Sequence, residues 1–585
     1  MTFLLRQPLV QDDAPARLAM PDQTLNAPFD DPNAPGIRTD RRTLALRAVI
    51  LLVSICVVSG LGWLSLGWFA LDGTLTLVEG ALIFGSVFAL FWVVLSVATA
   101  TLGLLWRPRP QAQPLFGLQI AILVPMYGEP ARSTIGTAVT LLAALPAAGR
   151  HSFSLHILSD TRDPDLALVE EATVAAARKA HPGLTIQYRR RPQNHDFKSG
   201  NIRDWVQTHG HTCEAMLILD ADSVMGPQTV VQLADALARE PGLGLIQTVP
   251  RVLPGKTLWQ GMQCFASEVY GRNMGRGFAM WTGAEANFFG HNALLRTRAF
   301  AASAGLPHLP GRAPRGGVIL SHDFVEAALL RRAGWGVRMM PEAEESFEDT
   351  PETLIGYLRR DRRWCQGNMQ HLRMLATPGL HPLSRFHLLQ AAMAYLASVW
   401  WLVLLILWSM LGPGETLPDV FAAGPLFPVW PDLPPVTQAG IAASVGLMLM
   451  APKLLGTLGH IWRQGLTLAQ LPRFGTAMLV EIVLSALLAP VLMVHQVRAV
   501  LRVFGGLDGG WMPHAGSRSD WRTLVRFHAT ETGLGLGLLA FAAAGKLSPW
   551  LVPVAISLSL SVLLAALVQT RVTLFQPFDT ARQAR

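Results

Sequence analysis

The chain has 585 residues, of which 51% are hydrophobic and only 15% charged, with a formal net charge of +8. Soluble domains carry about 25% charged residues, so the composition argues against a purely soluble protein, and the length exceeds one small domain. The basic excess does not imply nucleic acid. Arg107, Arg109, Arg359, Arg360, Arg362 and Arg363 lie between apolar runs, where positive charge marks loops on the cytoplasmic side of a membrane.

Residues 1–40, rich in Pro, Asp and Ala without periodicity, are expected to form a disordered cytoplasmic tail. Spanning a bilayer takes about 20 apolar residues. Residues 48–70 and 80–104 meet that length and predict two transmembrane helices within 41–111. The first lies too deep in the chain, and is too long, for a removable signal peptide. Residues 112–380 have a soluble composition. The runs "LQIAILVPMY", "FSLHILSD" and "AMLILDAD" read as buried parallel strands. Helical stretches lie between them: "ARSTIGTAVTLLAAL", "PDLALVEEATVAAARKAH" and "GNIRDWVQTH". This alternation predicts an α/β sheet with helices on both faces. Ligands in such sheets sit beyond the carboxyl ends of the strands. Tyr127, Gly128, Glu129, Asp160, Asp220 and Asp222 gather there.

An amphipathic helix over 351–374, with Leu354, Leu358, Met369 and Leu372, is expected to lie along the inner membrane face. Residues 381–572 form a membrane bundle, with apolar runs at 388–411, 436–457, 475–503, 531–545 and 549–570. Arg38, Arg41, Arg42 and Arg47 before the first span place the N-terminus in the cytoplasm, and two spans return the chain there. The domain over 112–380 is then cytoplasmic. Loop 412–435 lacks Lys and Arg and is expected outside; loop 458–474, with Arg463 and Arg473, is expected inside. The run 475–503 reads as a hairpin broken near Pro490, for eight membrane segments, against seven if it crosses once. Loop 504–530 is basic and contains "GGLDGGWMP", a candidate gate over the bound donor. Residues 573–585 read as a cytoplasmic tail. The four cysteines have no metal-binding spacing and suit a reducing compartment.

Asp220-Ala221-Asp222 ends a strand, where two hard carboxylates can hold a divalent cation against a diphosphate. Asp323 is a candidate general base. Ser321 is expected to cap the helix that begins there, so that Asp323 falls in its first turn and its pKa is lowered by the helix N-terminus. Arg362 and Arg363 can meet phosphate oxygens bidentately. Trp364 suits stacking on a sugar ring, or anchoring at the membrane interface.

The ordered set "LVPMYGEP", "LSDTRD", "FKSGNIRDW", "LILDADSVM", "FFGHNALLRTRAF", "SHDFVEA" and "RRDRRWCQGN" resembles family 2 glycosyltransferases, in the membrane-embedded processive branch that includes cellulose and hyaluronan synthases. Ser321-His322-Asp323 stands where that branch has T-E-D, and Arg360 to Trp364 where it has Q-x-x-R-W. With these departures, residues 40–570 look most like the glucans biosynthesis glucosyltransferase H family. The resemblance implies a Rossmann-like GT-A glycosyltransferase domain inserted between transmembrane helices. It implies Mg2+ or Mn2+ on Asp222 with Asp220. Glu129 and Asp160 would hold the uridine, and Lys198 would approach the diphosphate. Asp220 would face the ribose or sugar, and Arg360, Arg362 and Arg363 would complete the donor site. Trp364, His291 and Asn292 would meet the acceptor. The implied activity is inverting transfer from UDP-glucose to the β-1,2-linked backbone of osmoregulated periplasmic glucans, delivered across the inner membrane. Implied partners are the growing glucan, the bilayer, a periplasmic glucan-assembly protein and, in some members, acyl carrier protein. The rival readings are another polysaccharide synthase of this class and a transporter that senses nucleotide sugars.

Overall fold

A computed structural model describes residues 17–70, 75–108, 114–146, 149–409, 435–508, 518–546 and 551–575. Two long apolar helices come first, α1 (Arg41–Phe69) and α2 (Leu77–Leu105). Asp40 caps α1 by accepting from Thr43 N, and Thr76 with Glu79 forms a reciprocal capping box at α2. Large apolar side chains on α1 face outward, Trp63 and Leu64 among them, as expected where the solvent is lipid.

The next domain builds its sheet from the predicted strands. β1 (Gln119–Met126), β2 (Ser152–Ser159), β3 (Ile186–Arg190) and β4 (Ala215–Ile218) are parallel. Two short strands, β5 (Val224–Met225) and β7 (Arg251–Val252), flank β6 (Leu243–Gln247) in sequence. Then come β8 (Ala293–Arg296), β9 (Gly336–Met339) and β10 (Ser346–Glu348). The main sheet runs β3-β2-β1-β4-β8-β6-β9, with β8 antiparallel to both neighbours, and β5-β10-β7 make a second small sheet. This mixed sheet has the GT-A arrangement.

The helices of the domain are α3 (Ala131–Ala144), α4 (Pro164–Ala180), α5 (Phe197–His209), α6 (Pro227–Arg239), α7 (Leu258–Ala266), α8 (Arg272–Thr282), α9 (Thr297–Ser303), α10 (His322–Arg332) and α11 (Leu354–His371). β1 shows why its run is apolar throughout. Ile120, Ile122 and Val124 pack under α3 and α6, while Ala121 and Leu123 pack under α5, α9 and α10. Each such buried side chain contributes roughly 1.5–3 kcal/mol. α7 and α8 are joined by a π-helical turn at Ser267–Gly271.

Beyond the domain lie α12 (Pro382–Ser409), α13 (Pro435–Gln464), α14 (Leu471–Phe504), α15 (Trp521–Phe527), α16 (Ala529–Ala543), α17 (Val552–Ser559) and α18 (Ser561–Val568). Among the described residues five helices, α1, α2, α12, α13 and α14, have the length and apolarity to cross a membrane. α2 packs on α8 so closely that neither Gly103 nor Gly277 has room for a Cβ, the small-residue packing common between membrane helices.

Two expectations are corrected here. The run 475–503 is one continuous helix, not a hairpin broken at Pro490. At 1.5 Å per residue its 34 residues extend about 51 Å. It keeps contact with the catalytic domain from end to end. Phe474 packs on Phe265 of α7 at 5.6 Å between ring centroids, His495 Nε2 lies 3.1 Å from Leu358 O, and Val503 packs with Cys365 and Met369 of α11. The chain that follows also returns to α11, where Gln366 Nε2 donates to Asp508 Oδ1 at 3.0 Å. The second correction concerns residues 17–39, expected to be disordered. They run as an extended strap across the domain. Met20 is buried, Arg332 donates to Thr24 O at 2.8 Å, and Trp335 Nε1 donates to Asp31 Oδ2 at 2.9 Å. The strap supplies backbone carbonyls and Asp31 to groups on the domain that need partners. Residues 410–434, which include most of the expected external loop, and 509–517, the glycine-rich part of the expected gate, lie outside the described residues.

Candidate active site

The carboxyl ends of β1, β2 and β4 open toward one cleft, and the site builds from them. β4 leads into Asp220 and Asp222. Ser223 fixes the turn, its Oγ accepting from Asp220 N at 3.0 Å and lying 3.3 Å from His291 Nδ1. His291 Nε2 stands 3.2 Å from Glu348 of β10. Lys198, in the first turn of α5, forms an ion pair with Asp220 and donates to Gly290 O at 2.7 Å. Burial alone would raise the pKa of Asp220; Lys198 and His291 outweigh it and lower it. Asp222 behaves oppositely. The surrounding protein and the adjacent Asp220 carboxylate push its pKa up to about 7, although its exposed side chain lets water screen part of that effect.

Among the described residues no three His, Cys, Asp or Glu side chains converge as a ready-made metal cage. Two hard carboxylates crowded against each other are nonetheless a donor set that a divalent cation relieves, with further ligands coming from a substrate diphosphate. The residues fit such an ion.

Asp160, after β2, is clamped bidentately by Arg191, with Nε to Oδ1 and Nη2 to Oδ2 both at 2.7 Å. Glu129, after β1, accepts from Tyr127 N, and burial raises its pKa. Asp323 sits in the first turn of α10, its carboxylate facing Gly290. Gly290 has φ +87°, and a Cβ there would stand 3.4 Å from Asp323 Oδ2. Two expectations about Asp323 fail. Ser321 makes no capping bond, and the Asp323 pKa is raised, not lowered, because burial outweighs the neighbouring His322. Burial opposes charge on His322 itself, but Glu326, 3.0 Å from its Nδ1, wins and raises its pKa.

α11 closes the cleft. Its face bearing Gly367, Gln370 and His371 is docked on the segment leading into Asp323. Gln370 Oε1 accepts from Leu320 N at 3.0 Å, and His371 Nε2 donates to Ser321 O at 2.9 Å. Burial lowers the His371 pKa to about 4, so the ring is neutral. Gly367 has no room for a Cβ against Ser321. On the opposite edge, Asp361 accepts from Tyr395 of α12 and from Gln496 of α14, each at 3.1 Å. α11 therefore ties the cleft to the membrane helices.

The helical repeat of α11 separates its arginines. Arg363 is half-buried on the cleft side; burial lowers its pKa and the Asp220 carboxylate acts against that. Arg360 stacks over Trp364 at 4.5 Å, and Trp364 is 40% exposed, enough to offer a ring face. Arg362 faces away from the cleft. Burial, and then Arg502, Arg359 and Arg498, lower its pKa, while Asp508 raises it.

The matching family description is "Glycosyl transferase family group 2", over residues 215–424. A glucans biosynthesis glucosyltransferase H from Rhodopseudomonas palustris (strain TIE-1) is 38% identical, covering 96% of this chain and 80% of its own. The protein of that name from Vibrio cholerae O395 is 36% identical over 94% and 78%, and that from Shewanella oneidensis 37% over 90% and 74%. The chain belongs to the glucans biosynthesis glucosyltransferase H family. Among solved structures, a mannosyltransferase from Pyrobaculum calidifontis, in complex with GDP-Man and Mn2+, aligns with TM-score 0.41 and 14% identity, covering 66% of this chain and 99% of that one.

In this family member the cleft brings together Glu129, Asp160, Lys198, Asp220, Asp222, His291, Asp323 and Arg363. Two assignments are corrected. Arg362 lies on the far face of α11. Asn292 is fully buried and donates to Ser346 Oγ at 2.9 Å and Phe347 O at 3.1 Å, so it holds β10 and is closed to an acceptor. His291 stands beside the paired aspartates. Arg191, Glu348, Gly367, Gln370 and His371 went unread. Only Gly367, inside a helix rich in arginine, carried a local signal, since glycine in a helix interior is costly unless space demands it.

Proposed function

We propose that the protein transfers glucose from UDP-glucose to the growing β-1,2-linked backbone of osmoregulated periplasmic glucans, with inversion, and passes the chain across the inner membrane. The observation that supports this most is the convergence of a partly buried carboxylate, Asp323, with the Asp220–Lys198 pair and Arg363, under a helix joined to α12 and α14. A base placed so has no use in a nucleotide-sugar sensor or transporter.

In this reading the uridine lies over Glu129 and the Arg191-clamped Asp160. Asp222, with Asp220, would hold Mg2+ or Mn2+, which when bound supplies positive charge to the leaving diphosphate. Arg363 adds a fixed cation on the same side. The acceptor hydroxyl oxygen attacks the anomeric carbon, its proton passes to Asp323, and the bond to the diphosphate breaks, releasing UDP. A raised Asp323 pKa suits a group that must accept a proton as the bond forms. Trp364, at the cleft edge, would stack on the last sugar of the chain. The arginines before α1 and at the α13–α14 junction support a cytoplasmic catalytic domain. A periplasmic assembly protein and acyl carrier protein belong to the proposal as partners.

The test supplies UDP-[14C]glucose and Mg2+ to the full-length protein in vesicles and digests the product with linkage-specific glucanases. Polymer cut only by a β-1,2-glucanase supports the reading. Polymer cut by a cellulase keeps the chemistry and overturns the linkage.

A further inference from the structure

Away from the cleft, a shallow recess opens where the ends of α2 and α13 meet α8, lined by Glu268, Arg272, Asn273, Arg276, His460 and Arg463. Arg272 and Arg276 are at least nine-tenths buried. Around the recess four guanidinium groups, of Arg251, Arg272, Arg276 and Arg463, face two carboxylates. Glu268 pairs with Arg251 at 3.1 Å and Arg272 at 2.6 Å; Glu344 pairs with Arg272 and, at 3.4 Å, with Arg276. Arg463 has no carboxylate partner among the described residues. It donates to the terminal carbonyls of α2, Gly103, Leu104 and Trp106, at 3.2, 3.1 and 2.9 Å. Among the described residues the four guanidinium groups thus outnumber the two carboxylates, and a helix carboxyl end offsets only about half a charge.

Polar atoms here are also unmatched. Among the described residues, Arg276 Nε and Arg463 Nε are buried donors without a partner, and Asn273 Oδ1 is a buried acceptor without one. The Asn273 amide nitrogen is already committed to Ala100 O at 2.7 Å, which fixes the oxygen as the open group. A buried polar atom left without a partner is costly, which favours a ligand that supplies one. Trp106 lies under both arginines, 5.2 Å from Arg276 and 5.8 Å from Arg463, while Trp462 is 69% exposed. Tryptophans at helix ends mark headgroup depth, and basic pockets between membrane helices bind anionic headgroups.

We propose that this recess binds a phosphate-bearing anion with a hydroxyl donor, the chemistry of a phosphatidylglycerol headgroup: guanidiniums take the phosphate and Asn273 Oδ1 accepts from the hydroxyl. Burial first, then Arg272 and Arg463, lower the Arg276 pKa to about 10, and Glu344 and Glu268 only partly oppose them.

The experiment is native mass spectrometry of the full-length protein titrated separately with phosphatidylglycerol, phosphatidylcholine and inorganic phosphate. The wild type is expected to bind phosphatidylglycerol at least about tenfold tighter than phosphatidylcholine. Arg276→Gln should remove about a factor of ten, from one lost charge-assisted bond, and Arg276→Lys should keep most of it. Arg463→Gln gives an independent second variant if the first does not fold. Binding of inorganic phosphate that the same variants weaken, with no lipid preference, supports the site and assigns it to a soluble phosphate. Equal lipid affinities with no phosphate binding, or affinities unchanged in the variants, overturn it.

Discussion

Gly367→Ala tests whether α11 positions the base. The substitution adds one methyl group on the face of α11 that rests on Ser321, two residues before Asp323. Its Cβ would meet the Ser321 side chain and would stand 2.6 Å from Ser321 N. A hydroxyl can rotate aside, but a backbone nitrogen cannot. Alanine also favours the helix by up to about 1 kcal/mol over glycine, while overpacking costs typically about 1–3 kcal/mol. The net effect on stability is therefore small, and the geometric effect is the larger one. Relieving the contact moves α11 and Asp323 apart by several tenths of an ångström or more. Misplacement of about 1 Å costs on the order of 10²-fold in rate. The assay is initial-rate glucose transfer in vesicles, with UDP affinity by calorimetry and thermal unfolding as controls. We expect kcat to fall between about tenfold and 10²-fold, with UDP affinity within about threefold of wild type because Asp160, Asp220 and Asp222 are untouched. Wild-type kcat in a folded variant would refute the reasoning.

Three further outcomes follow from the site. Asp323 must be deprotonated to act and its pKa is raised, so kcat/KM should fall with decreasing pH at a midpoint above the ordinary aspartate value of about 4; a profile flat down to that pH contradicts this. Arg191→Ala leaves Asp160 buried without its bidentate partner and should weaken UDP binding about tenfold or more, read by calorimetry, since charge-assisted bonds contribute about 1.5–3 kcal/mol. Arg363→Ala should lower kcat by about 10²–10³, the scale of a lost transition-state donor, whereas Arg362→Ala should leave the donor KM within about threefold; equal losses in steady-state kinetics would erase the distinction between the two faces of α11.

The central strands were legible because β1 and β4 are buried on both faces and so read as continuous apolar runs, and β2 ends in a short buried one. The aspartate pair was legible because its two members stand one residue apart. Other features depend on distant partners. Arg191 meets Asp160 across 31 residues. Asn292 reads like a polar site residue, and only the packing of β10 over it reveals a structural role. The Pro- and Asp-rich strap has the composition of a disordered tail, yet Arg332 and Trp335 give its backbone and Asp31 fixed partners. Pro490 suggested a break, but packing of α14 along α11, α12 and α17 overrides the local preference.

The most direct test of the account is Asp323→Asn in the full-length protein, assayed for glucose incorporation and for UDP binding together. The account predicts loss of nearly all incorporation with UDP affinity preserved, because the donor pocket is left intact and only the proton acceptor is removed. Incorporation near the wild-type rate would contradict it and move the base elsewhere in the cleft.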